Sequence, residues 1–336
     1  MVTGTTDARE GGLTVRIQGI ALALCMLLCL GARARAEATP YRFAGAKETA
    51  VLLLSHRDYY EGMSQDDLNF RLQRTGATLA ELERFAAAQA RDFTDAETAA
   101  VDAAMAFIDG VCEARGYRLP PLEEIVFCKT TMREECGAGG YTHGNQIYLG
   151  ARALGLGTSP SEARRVEFRE LVAHELFHCL TRADADFRRE LYALLGFAVA
   201  DEPLPLSPAI RQRLIANPDV ERHDAYAAFE LGGEMRNCVV VFILSRPFRR
   251  SGDSFFELGR TGLVPLDDPT TLYDADADTD ADLWSVFGCN TDYVIDPEEV
   301  LADNFSDVLI HGPGGKAYAT PALIDAIDAC LRERAD

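Results

Sequence analysis

Leu171-Val172-Ala173-His174-Glu175-Leu176-Phe177-His178-Cys179-Leu180 sets two histidines and a glutamate inside an otherwise apolar run. On a helix, His174 and His178 stand one turn apart on the same face, so both imidazoles can hold one metal ion. Glu175 lies too far round the axis to be a third ligand, but near enough to take a proton from a metal-bound water. Residues 159–162, Ser-Pro-Ser-Glu, read as an N-cap, a proline at the first helical position and a capping-box glutamate, so a helix begun there reaches the motif in register. Leu171, Val172, Leu176, Phe177 and Leu180 surround the histidines, which requires the helix to be buried. Buried imidazoles and a carboxylate need partners, and a metal with its water supplies them.

The run resembles the zincin metallopeptidase signature, including the uncharged residues that flank it. That resemblance implies an α+β fold, a catalytic zinc, a mixed sheet over the motif helix and a peptide-binding cleft below the sheet's edge strand. In such folds a strand shortly before the motif helix often forms the cleft rim. The resemblance therefore places a substrate-binding rim on residues 145–149, with Asn145, Gln146 and Ile147 along extended substrate.

Two histidines do not complete a catalytic zinc site, which needs a third protein ligand and an open position. Asp296-Pro297-Glu298-Glu299-Val300-Leu301-Ala302-Asp303 reads as a capped helix start, with Glu299 and Asp303 one turn apart. Glu299 can then bind the metal while Asp303 accepts the outward N–H of a ligand histidine. The pairing resembles the third-ligand helix of gluzincins, which carries over as Glu299 for the ligand and Asp303 for the group orienting His174. A competing role for Glu299 is to close a capping box with Asp296. The spacer from His178 is longer than in compact gluzincins, which makes residues 198–290 an insertion. Asp184 is the alternative ligand, since the run resembles the shorter metzincin arrangement with Thr181 where that pattern has glycine. His311 and His223 are further candidates. Tyr293 or His311, both near the Glu299 helix, could serve as the donor to an oxyanion.

Around this centre the chain divides into an export signal at 1–36, a helical region at 37–118 and a zincin-like domain at 119–336. Arg16, an eleven-residue apolar run at 20–30 and Ala34-Arg35-Ala36 have the form of a cleavable signal, too short for a comfortable membrane span. The mature protein is then secreted or periplasmic, with no integral membrane anchor. Removing the signal's four arginines and two acids takes the formal charge from -20 to -22. Such a surface repels phosphate backbones, which excludes nucleic acid as a partner and leaves a peptide or protein substrate.

Ser64, Thr78 and Thr94 begin helical patterns in the N-terminal region. Residues 124–129, 145–149, 225–231 and 237–244 read as strands. His56 and His143 read as packing or loop residues. The aspartates alternating through 274–282 lack the glycine and glutamate of a calcium loop and read as a solvated acidic loop. Seven cysteines remain after the signal, with Cys128 and Cys136 the expected disulfide and Cys179 the expected free thiol.

These features point to an exported zinc peptidase. An amidase or deacylase acting on envelope material, and a non-catalytic binding module stiffened by metal, stand as alternatives.

Overall fold

Alternating apolar residues in Ile125–Thr130 (β2) send side chains to two different cores, and this strand organises the fold. The computed structural model describes residues 39–275 and 282–334, the side chains of 255 and 256 excepted. Residues 1–36, where the signal is expected, and residues 276–281 of the acidic run lie outside the described residues. Among the described residues no helix is long and apolar enough to cross a membrane.

The architecture is α+β, built on two sheets. The first is mixed, with strand order β1-β2-β4-β3, where β1 is Tyr41–Phe43, β3 is Gly140–His143 and β4 is Gln146–Gly150. β1, β2 and β4 run parallel, and β3 is antiparallel to β4 at the edge. Ile125, Phe127, Ile147 and Leu149 face the large core beneath the sheet. Val126, Cys128, Tyr141 and Tyr148 face the other way and pack on Leu53 of the helix Ala46–Ser55. Period-2 alternation thus explains why both faces of the sheet are covered.

Beneath the sheet runs the motif helix, Glu162–Ala183, with Phe168, Val172, Leu176, Phe177 and Leu180 buried in the main core. Truncating a wholly buried side chain such as Phe177 to alanine costs about 3–5 kcal/mol. The helix begins two residues later than the capping pattern suggests, with Ser161 as N-cap and no side-chain cap bond. Against it lies the carboxylate helix, Pro297–Ile310, buried along nearly its whole length.

The 198–290 region forms the second sheet, an antiparallel meander of β5 (Ala198–Val199), β6 (Ala225–Leu231), β7 (Glu234–Leu244), β8 (Gly259–Pro265) and β9 (Tyr273–Asp274). Ala227, Phe229, Cys238 and Val240 join the main core, while Val239, Val241 and Ile243 cover Leu206 and Ile210.

Three expectations change here. From Thr39 onward the chain clusters as one unit, because β1 pairs with β2 inside the central sheet. Position 118/119 is therefore no domain boundary. The strand expected at 145–149 runs from Gln146 to Gly150 and is internal, between β2 and β3, so the sheet's edge on this side is β3. All seven described cysteines are free thiols, Cys128 and Cys136 included, and burial pushes both up to about 12.

Candidate metal centre

Helical spacing brings the His174 and His178 rings together, with centroids 4.9 Å apart and planes at 80°. The crossing carboxylate helix presents Glu299 to both: its Oε2 lies 3.1 Å from His174 Nε2 and 3.7 Å from His178 Nε2. One donor atom from each residue falls within 4.8 Å of the others. Tetrahedral ligands with zinc bonds of 2.0–2.1 Å stand about 3.3 Å apart, so this spacing suits one small cation. His178 Nε2 is buried and has no hydrogen-bond partner, the orphan atom that a cation at this point would satisfy. Two imidazoles and one carboxylate form a donor set suited to zinc.

The outward ring nitrogens are held as well. His174 Nδ1 donates to Asp303 Oδ1 at 2.8 Å, and His178 Nδ1 donates to Glu298 Oε1 at 3.1 Å. Both rings therefore turn Nε2 inward, toward the point a metal would occupy. Glu298 also accepts from the Thr181 hydroxyl at 2.5 Å and from Tyr192 at 2.6 Å, and Asp303 accepts from Thr291 at 2.5 Å. The Asn217 side-chain amide donates to Glu299 Oε1. Burial opposes charge on His174, but its bonds to Asp303 and Glu299 outweigh that and hold the imidazole well above its ordinary value. Burial likewise pushes Glu299 up, and the His174 bond and both imidazoles bring it below the usual carboxylate range.

Glu175 is 2% exposed and its Oε2 has no partner. Burial first, and then the nearby Asp219 carboxylate, raise its carboxyl well above the usual range. Its other oxygen lies against the edge strand: a Cβ on Gly140 would stand 2.5 Å from Glu175 Oε1, so only glycine allows this approach. Asp219, from the loop before β6, accepts from the Thr142 backbone N–H and hydroxyl at 2.7 Å each. These groups border an open cleft of about 400 Å³, with Gly139, Gly140, Leu171 and Tyr293 among its walls.

Of the residues singled out in the sequence, His174, Glu175, His178, Glu299, Asp303 and Tyr293 meet at this place. Asp296 caps its helix by accepting from the Glu298 N–H at 2.9 Å, which leaves Glu299 free to face the histidines. Asp184 is not a ligand. It caps the helix Ala185–Leu194 through the N–H groups of Asp186 and Phe187, and it pairs with Arg334 at 2.8 Å. His311 bonds Glu170 at 2.5 Å in a separate group with Asp307, which corrects its assignment as ligand or oxyanion donor. His223 belongs to a different cavity, beside Leu204 and Phe242. Asn145 lies in the turn before β4, where its side-chain amide donates to Glu124 O, while Gln146 and Ile147 sit on the internal strand, Gln146 bonding His56 and Ile147 buried, so they form no rim. His56 and His143 stack on one another at 4.3 Å.

Glu298, Asn217, Asp219 and Gly140 escaped the sequence reading. Glu298 had a signal: a second ligand histidine needs an acceptor of its own, and the carboxylate beside Glu299 was on hand to supply it. Asn217-Pro218-Asp219 reads only as a turn.

Comparison of the chain with family models, with curated proteins and with solved structures gave no match.

Proposed function

We propose that the chain is an exported zinc-dependent peptidase with a zincin-like catalytic domain. The observation that carries this reading is the convergence of His174, His178 and Glu299 beside buried Glu175, whose Oε2 has no partner, with His174, Glu299 and Glu175 lining one cleft. His174, His178 and Glu299 would hold the zinc, which would supply the Lewis acidity that peptide hydrolysis requires. Glu175 takes a proton from the attacking water and delivers it to the leaving amine. Tyr293, partly exposed on the cleft wall, donates to the oxygen on which charge develops. Gly140 on the edge strand lets extended substrate approach Glu175 closely. Glu298 and Asp303 fix the two imidazoles. Export rests on the signal-like residues 1–36.

A second reading has one observation behind it. Asp219 offers an oxygen within 4.8 Å of Glu175 and His178 donor atoms. If that carboxylate closed the fourth position, the metal would serve only as a cross-link.

Metal analysis and peptide turnover separate the two. The wild type is expected to hold one zinc per chain, Glu299→Ala to lose it and Asp184→Ala to keep it. Glu175→Gln keeps zinc and fold but loses about 10²–10⁴ in kcat/KM. Zinc retained in Glu299→Ala and lost in Asp184→Ala would reverse the ligand assignment, and unchanged turnover in Glu175→Gln would sink the catalytic reading.

A further inference from the structure

The edge strand beside Glu175 is stopped short. Peptide groups two residues apart on a strand point the same way, so the Gly140 and Thr142 amides both face away from β4. The Thr142 N–H is already bonded to Asp219. An extended chain lying along β3 can reach Gly140, and one step further it meets a carboxylate.

Asp219 is therefore both an obstruction and a charge. One of its oxygens lies within 4.8 Å of a carboxylate oxygen of Glu175 and a ring nitrogen of His178. In a peptide the α-amino nitrogen stands about 2.5 Å from the carbonyl carbon of the same residue. A group that close to the reacting centre can contact the amine of the residue being cleaved, but leaves no length for a residue before it.

The charge of the cleft agrees. Glu170, Glu175, Asp219, Glu299 and Asp303 line it, and among the described residues no lysine or arginine does. Arg182 reaches Asp219 only through the Thr142 hydroxyl, to which it donates and which donates on to Asp219, so it offsets part of that charge from a distance; its other bonds go to Pro218 O at 2.9 Å and Glu221 at 3.0 Å. A bound zinc offsets only part of this negative charge. A substrate's terminal carboxylate is repelled here, and an ammonium is attracted.

We infer that the cleft takes the free α-amino end of a peptide, with Asp219 as the amine anchor, so that the enzyme removes residues one at a time from the N-terminus. This rests on the zinc-hydrolase reading above and names its substrate class.

Binding of L-leucine hydroxamate and its N-acetyl derivative to the zinc-loaded protein, measured by calorimetry, tests it. Both probes chelate the metal, and only one carries the amine. The free amine is expected to bind about tenfold or more tightly in the wild type and in Glu175→Gln, where no turnover intervenes. In Asp219→Asn, checked for zinc content and melting temperature, the gap shrinks to within about twofold. Equal affinities in the wild type overturn the inference even if Asp219→Asn fails to fold. A gap that survives in a folded, zinc-loaded Asp219→Asn removes Asp219 as the anchor. A wild type that binds neither probe because it holds no zinc brings down the hydrolase reading, and this inference with it.

Discussion

Two assemblies of buried charge meet at the loop of residues 215–219, and they are finished differently. Around Arg71 every donor has a partner: Nε bonds Asp67 at 2.9 Å, one terminal nitrogen bonds Glu135 and the Glu134 carbonyl, and the other bonds Tyr59 and the Ala216 carbonyl. All five guanidinium N–H groups are spoken for, the best case for a charge taken out of water. At the histidine centre, by contrast, His178 Nε2 and Glu175 Oε2 are buried with nothing to bond, and a cleft opens beside them. Completed charge builds structure. Incomplete charge beside a cavity marks the place where something binds.

Breaking the completed assembly should show in stability. Arg71→Met leaves Asp67 and Glu135 buried without their cation and is expected to destabilise the fold by about 3–5 kcal/mol, read as a shift in urea midpoint. A variant that melts like the wild type would show that the Arg71 network adds no stability.

The incomplete assembly should respond through metal affinity. Glu298→Gln and Asp303→Asn each loosen one imidazole and are expected to weaken zinc binding by about 10–100-fold in chelator competition. Equal losses would sharpen the view that both histidines are oriented alike. No loss in Glu298→Gln would leave His178 held by packing alone.

The smallest effect belongs to a third group, partly buried, neither completed nor beside the histidine centre. His223 Nδ1 has no partner, and burial brings its imidazole down to about 4. Its folded value lies below the unfolded one, near 6.5, so the stability it contributes is complete above that pH and is lost as pH falls toward 4. Between pH 7 and 5.5 the wild type should lose about 1 kcal/mol that His223→Gln does not, measured by parallel melts. Parallel pH profiles would show that His223 is solvated.

Much of this was legible beforehand, wherever the determinant was local. The caps at Ser64 and Thr94, the strand Ala225–Leu231 and the helix carrying Glu299 and Asp303 all follow from spacing within a few residues. What stayed hidden depends on partners far along the chain. β1 is three residues long and becomes a strand only because β2 pairs with it across some eighty residues. Which strand forms the edge depends on sheet order, and Gly140–His143 lies in a glycine-rich run that reads as loop. Asp219 gains its meaning from Thr142 and Glu175, which no periodicity links to it.

The bond between Asn217 and Glu299 carries one more consequence. Asn217 is steadied by Arg71 at the neighbouring Ala216 carbonyl, so the ligand carboxylate is braced by a helix more than two hundred residues earlier in the chain. Contacts of such long sequence separation form slowly and late in folding. A chain emerging during synthesis would have its two histidines in place well before their carboxylate partner is braced. On the proposed metal reading, tight ion capture would report that the whole polypeptide has collapsed correctly, and a partly folded intermediate would hold the ion loosely.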